Sequence, residues 1–113
     1  MPTVEILYFA GCPSYRKARE NALRAIAAAG AGVKLQMTLV RHERDAKLLE
    51  FHGSPTVRLD GRDIDPEGLA QAPPVGLVSR PYRYKGALSS APPESMIREA
   101  LRKAASEPAA GPR

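Results

Sequence analysis

Cys12 is the one cysteine of the chain, standing between Gly11 and Pro13 directly after the apolar run Ile6-Leu7-Tyr8-Phe9-Ala10. Its chemistry is that of a thiolate, the form that attacks disulfides and binds soft metals. A strand that ends at a glycine and passes through a proline into a helix sets such a thiol against unpaired N–H donors and a positive dipole end. Proline suits the first helical position, because its missing N–H would be unpaired there and its φ is already helical. The spacing therefore predicts a thiol that ionises more readily than a free one. The plain alternative is a small buried hydrophobe, the commonest fate of a free cysteine.

Other groups carry less. His42 and His52 with Cys12 offer three soft ligands, but their spacing fits no metal motif, so no metal site and no cofactor is expected. Asp60, Asp63, Asp65 and Glu67 bracket a tight turn; turn chemistry accounts for Asp60 and solvent exposure for the rest. The hexamer Arg80-Pro81-Tyr82-Arg83-Tyr84-Lys85 interleaves aromatic and basic residues as single-strand nucleic-acid surfaces do. One such hexamer is a weak signal. A loop or edge strand packing its tyrosines is expected instead, and nucleic acid is not an expected partner. Arg16 and Lys17 read as solvated helix charges.

These residues need elements to hold them. Thr3 to Phe9 is nearly continuously apolar, the pattern of a strand buried on both faces. Pro13 to about Ala29 reads as a helix with Ala18, Ala22, Ala25, Ile26 and Ala29 on one face, stopped by Gly30-Ala31-Gly32. Val33 to Val40 alternates with period two, a half-exposed strand near a sheet edge. Strand, helix and strand make a right-handed βαβ unit with parallel strands. A short helix over His42 to Phe51 follows, with Ala46, Leu49 and Phe51 inward. Thr56–Leu59 and Arg62–Asp65 around Asp60-Gly61 form a hairpin signal. Pro66 to Pro93, which holds six of the eleven prolines, reads as a long structureless loop covering a site. A last helix begins near Ser90 to Pro93 and carries Met96, Ile97, Ala100, Leu101 and Ala104 at helical spacing.

The chain has 113 residues, enough for one core, and divides into a domain over 1–105 and a disordered Pro/Ala/Gly tail over 106–113. A formal charge of +5, from 17 Lys+Arg against 12 Asp+Glu, favours anionic partners. One cysteine excludes an internal disulfide framework. No leader pattern and no membrane-length apolar stretch is read, so the expected location is cytoplasmic, without a membrane partner.

The order of elements resembles the thioredoxin-like fold over residues 3 to about 105. Gly11-Cys12-Pro13, Ser54-Pro55-Thr56 before the hairpin and Asp60-Gly61 within it carry the match. The α/β fold it implies is a βαβ unit plus a β-hairpin and a C-terminal helix around a mixed four-stranded sheet. The wider set Tyr8-Phe9-x-Gly11-Cys12-Pro13, Phe51-x-Gly53-Ser54-Pro55-Thr56, Asp60-Gly61-Arg62-Asp63 and Ser79-Arg80-x-Tyr82 is similar to a group of small bacterial thioredoxin-like proteins, often labelled thioredoxin family or alkylmercury lyase-like. The resemblance implies a cis Ser54–Pro55 bond facing Cys12. It also implies Cys12 as nucleophile with Arg80 as its cationic helper. Gly11, Pro13, Ser14, Tyr15, Ser54, Pro55, Ser79 and Tyr82 would line the substrate site, with Ser14, Tyr15 and Ser79 as hydrogen-bond donors to the thiolate.

The chain departs from the pattern at two places. The position three after Cys12, where dithiol members keep a resolving cysteine, is Tyr15. The position of Ser79 is often a second cysteine in that group. Dithiol chemistry is therefore out of reach. Two functions remain: one-thiol exchange, with Cys12 forming mixed disulfides with glutathione or a protein disulfide; or a non-catalytic thioredoxin-fold module binding a thiol-reactive metal, an organomercurial or a protein. Alkylmercury lyase activity is not expected, because cleaving a carbon–mercury bond calls for more than one ligand plus a proton donor.

Overall fold

Val4, Ile6 and Leu7 are fully buried and make β1 (Thr3–Tyr8) the inner strand of a mixed sheet. A computed structural model describes residues 2–30 and 32–106; the expected tail lies, from residue 107 on, outside the described residues. The four-stranded sheet has the order β2-β1-β4-β5, with β2 (Lys34–Leu39), β4 (Thr56–Leu59) and β5 (Arg62–Asp63). β2 runs parallel to β1, with Val4 opposite Leu35 and Ile6 opposite Met37. β4 runs antiparallel, with Ile6 opposite Val57 and Leu7 opposite Thr56. The hairpin turns at Asp60 and Gly61, whose φ angles of 51° and 84° suit a primed turn. Asp60 also pins the start of β1, its Oδ1 accepting the Thr3 N–H at 2.8 Å.

Because side chains alternate across a strand, the sheet buries two cores. On one face Val4, Ile6, Val57 and Leu59 meet α1 (Tyr15–Ala29) and α4 (Glu94–Ser106) through Ala18, Ala22, Ala25, Ile97 and Leu101. The alanines of α1 recur every three or four residues, a stripe of small side chains that lets α4 approach. Asn21 on the same stripe donates from Nδ2 to the Pro92 carbonyl at 3.0 Å, fixing the entry to α4. On the other face Leu7 packs with Val40, Ala46 and Phe51, supported by Phe9, Val75 and Leu77.

Several elements depart from expectation. α2 covers Glu43–Leu49 and buries only Ala46; Leu48 is 82% exposed and Leu49 36%, because a helix of two turns turns one narrow face inward. Phe51 is buried, but beyond the helix end. In α4, Ala104 is exposed.

The span 66–93 is not a structureless loop. It contains α3 (Pro66–Leu69), β6 (Gly76–Ser79), β7 (Tyr82–Tyr84) and β8 (Ala87–Ser89). β6 pairs in parallel with β3 (His52–Ser54), and β7 with β8 as an antiparallel hairpin turning at Lys85 and Gly86, both with positive φ. Strands of three or four residues show no measurable period, and Pro73, Pro74 and Pro81 fall in the connections between them. Among the described residues, no helix is long and apolar enough to cross a membrane.

Candidate functional site

Cys12 lies in a turn rather than on a helix. Its N–H donates to the Phe9 carbonyl at 3.0 Å, and the residue is 3% exposed. α1 begins at Tyr15, with Ser14 as its cap at φ −99° and ψ −4° and no side-chain capping bond. The expected start at Pro13 is therefore two residues early: the chain first closes the Phe9–Cys12 turn, and Pro13 and Ser14 complete the change of direction. The free N–H groups of the helix end belong to residues beyond Cys12.

The expected hydrogen-bond donors do not reach the sulfur. Among the described residues, no hydrogen bond to the Cys12 thiol is formed, whether from Ser14, Tyr15 or Ser79. Tyr15 stacks on Tyr8, ring centroids 4.4 Å apart, with the Arg16 guanidinium over the Tyr15 ring, 5.8 Å from its centroid. Gly11 and Pro13 are exposed and Ser14 half-buried.

The remaining candidates gather into a second group, and their contacts are mutual. The Ser54–Pro55 bond is cis. The Ser54 carbonyl accepts the Arg80 N–H at 2.9 Å, and Ser79 stands opposite Ser54 in the β3–β6 pair. Thr56 Oγ1 donates to the Gly53 carbonyl at 2.6 Å. Tyr82, only 1% exposed, donates its hydroxyl to the Pro55 carbonyl at 2.6 Å. It is a strut under this step rather than a residue open to substrate. Ser79 is exposed, and the Ser54 hydroxyl is buried without a partner among the described residues.

Arg80 is not the helper of Cys12. Its guanidinium is 1% exposed and makes a two-point pair with Asp63, Nη1 to Oδ2 at 2.6 Å and Nη2 to Oδ1 at 2.9 Å. It also lies over the Tyr82 ring, 4.6 Å from the centroid. Burial works against its charge, but the Asp63 hydrogen bonds and the neighbouring Tyr82, Asp63 and Asp65 more than restore it, so its pKa rises. Burial likewise pushes the Tyr82 phenol far above its usual range, against the pull of Arg80. Asp63 was expected in solvent; it is the counter-charge of this cluster and also accepts the Asp65 N–H at 2.8 Å. Asp65 in turn caps α3, accepting from Gly68.

The two groups come to the same end of the sheet. Leu7 is opposite Thr56, so Pro55 follows at the C-terminal end of β1, where the Cys12 turn begins, and β1 touches β3. Beside the turn, a cavity of about 440 Å³ is lined by Phe9, Ala10, Gly11, Leu39, Val40, Arg41, His42 and Leu77. None but Gly11 was among the expected site residues. The signal for them was the pair of parallel strands, since ligands of α/β sheets bind beyond the carboxyl ends of such strands.

The basic–aromatic hexamer is divided: Arg80 and Tyr82 are buried, Arg83 and Lys85 are exposed, and the Tyr84 hydroxyl donates to Glu99, which raises its pKa. Among the described residues no cluster of three or more His, Cys, Asp or Glu could hold a metal ion, and His52 Nδ1 is 2.9 Å from the Pro73 carbonyl. Comparison with protein-family models, with curated proteins and with solved structures gives no match.

Proposed function

We propose that this chain is a small thioredoxin-like protein of the bacterial group it resembles, and that it exchanges disulfides through a single thiol, Cys12. One observation carries the reading: the Cys12 turn and the Ser54–Pro55 step lie at the same end of the sheet, the C-terminal end of β1, through the register of Leu7 with Thr56. In the exchange, the Cys12 thiolate attacks one sulfur of a disulfide. A new sulfur–sulfur bond forms, the old one breaks, and the departing thiolate takes the electron pair. An external thiol such as glutathione then attacks the mixed disulfide and frees Cys12. Arg80 has no part in the step; with Asp63 and Tyr82 it holds the Ser54–Pro55 step in place. The proposal includes a cytoplasmic location, where external thiols are plentiful.

The 3% exposure of Cys12 favours a second reading, a non-catalytic thioredoxin-fold module that binds a thiol-reactive metal, an organomercurial or a protein partner. Incubation of the folded protein with oxidised glutathione separates the two. Exchange predicts one glutathione adduct by intact mass, absent in Cys12→Ser and released by added thiol. It also predicts background rates of insulin reduction when a dithiol reductase is the only electron source, since a second thiol is lacking. A folded protein that takes up no glutathione supports the module.

A further inference from the structure

We propose that the cavity beside the Cys12 turn binds a small organic acid with an apolar body, its carboxylate toward Arg41 and His42. The cavity, about 440 Å³, falls in the range of small-molecule pockets. Phe9, Leu39, Val40 and Leu77 supply its walls. Phe9, Val40 and Leu77 belong to the second core, so these walls are held by packing. The rim is held too: the Val40 N–H donates to the Tyr8 carbonyl at 2.7 Å, which fixes the chain immediately before Arg41.

Charge selects the ligand. No acidic side chain lines this cavity, whereas two other cavities of similar size both include Asp65 and Glu67 among their cations. Arg41 is exposed and forms no ion pair with any described residue. An unpaired cation at the mouth of an apolar cavity fits an anion with an apolar body better than it fits a neutral or cationic one. The chain's net charge of +5 steers anions in the same direction.

The inference rests on the proposed exchange only for its link to the thiol. Gly11 lines the cavity and precedes Cys12, so under that reading the acid is a substituent of the disulfide that Cys12 attacks.

The test titrates 4-phenylbutyrate and 4-phenylbutanol into the full chain, followed by amide chemical shifts. Saturable binding is expected, with shifts centred on residues 39–42 and 77. The alcohol should bind roughly two- to fivefold more weakly, the range of one exposed ion pair. Arg41→Gln should abolish that preference with thermal stability unchanged. No saturable binding, equal binding of acid and alcohol, or an undiminished preference in Arg41→Gln would each overturn the proposal. Cys12→Ser should keep the binding, which separates the two claims. Intact binding beside an inert thiol removes the exchange reading and leaves the pocket, while an exchanging thiol without binding removes the pocket alone.

Discussion

Arg80 and Asp63 face each other through two hydrogen bonds, of 2.6 and 2.9 Å, with side chains only 1% and 6% exposed. The pair joins segments 17 residues apart: the second strand of the Asp60-Gly61 hairpin and the link between β6 and β7. Through its own N–H, Arg80 also ties both to Ser54. The cluster therefore sets where Pro55 stands relative to β1, without a hydrogen bond to the thiol.

Asp63→Asn should leave a buried guanidinium without its counter-charge. Breaking such a pair from one side costs about 3–5 kcal/mol, a large share of the 5–15 kcal/mol, roughly, that small domains have in total. Urea unfolding measures it. The double variant Asp63→Leu with Arg80→Met should lose less than either single change, since no charge is then stranded. A single-variant loss under about 1 kcal/mol, the range of a surface pair, would contradict the buried arrangement.

Tyr82→Phe removes the hydroxyl that reaches the Pro55 carbonyl. A buried acceptor left unsatisfied costs about 1–3 kcal/mol, a fall of at least about 4 °C in Tm for a domain of this size. The phenol also carries a pH signature. Its folded pKa lies above the unfolded value of about 10, so the folded state holds a proton that the unfolded state has released. That contribution is complete below pH 10, roughly, and is lost as pH rises beyond it. Stability should fall more steeply above that pH in the parent chain than in Tyr82→Phe; identical slopes would count against the burial.

Gly53 has φ +108°, and an added Cβ would meet Arg80 Cβ at 2.8 Å and the Val78 carbonyl at 3.2 Å. Gly61 has φ +84° with nothing within 4 Å. Gly53→Ala should therefore cost more than the roughly 1–3 kcal/mol of backbone strain alone. Gly61→Asn should cost a few tenths, approximately, because asparagine tolerates the left-handed region. Thermal unfolding of the two variants gives the comparison, and equal losses would mean that the contact with Arg80 is not tight.

Elements with an uninterrupted period were legible in the chain. The continuous run at Val4–Phe9, the alternation at Val33–Val40 and the alanine stripe of α1 each name their environment, and Asp60-Gly61 names its turn. The start of α1 was misread because Pro13 suits a first helical position, while the competing Phe9–Cys12 turn leaves no local composition signal. β6, β7 and β8 were hidden because three or four residues cannot display a period. The pairing of Arg80 with Asp63 was hidden for a different reason. Each looks solvated in its own segment, and only the tertiary fold brings them together. Candidates drawn from the Ser79-Arg80-x-Tyr82 segment do gather beside Ser54 and Pro55, but as supports of that step.

The reaction rate of Cys12 with a neutral disulfide, 4,4′-dithiodipyridine, in the folded chain and in urea tests the central claim most directly. One-thiol exchange predicts that folded Cys12 reacts within about tenfold of the unfolded thiol, despite its 3% exposure, because the turn at Gly11–Pro13 opens locally. If the thiol is only a packing residue, it reacts solely from the globally unfolded fraction, on the order of 10⁻³ to 10⁻⁶ of the chains. A folded rate suppressed by a thousandfold or more, roughly, would contradict the exchange function.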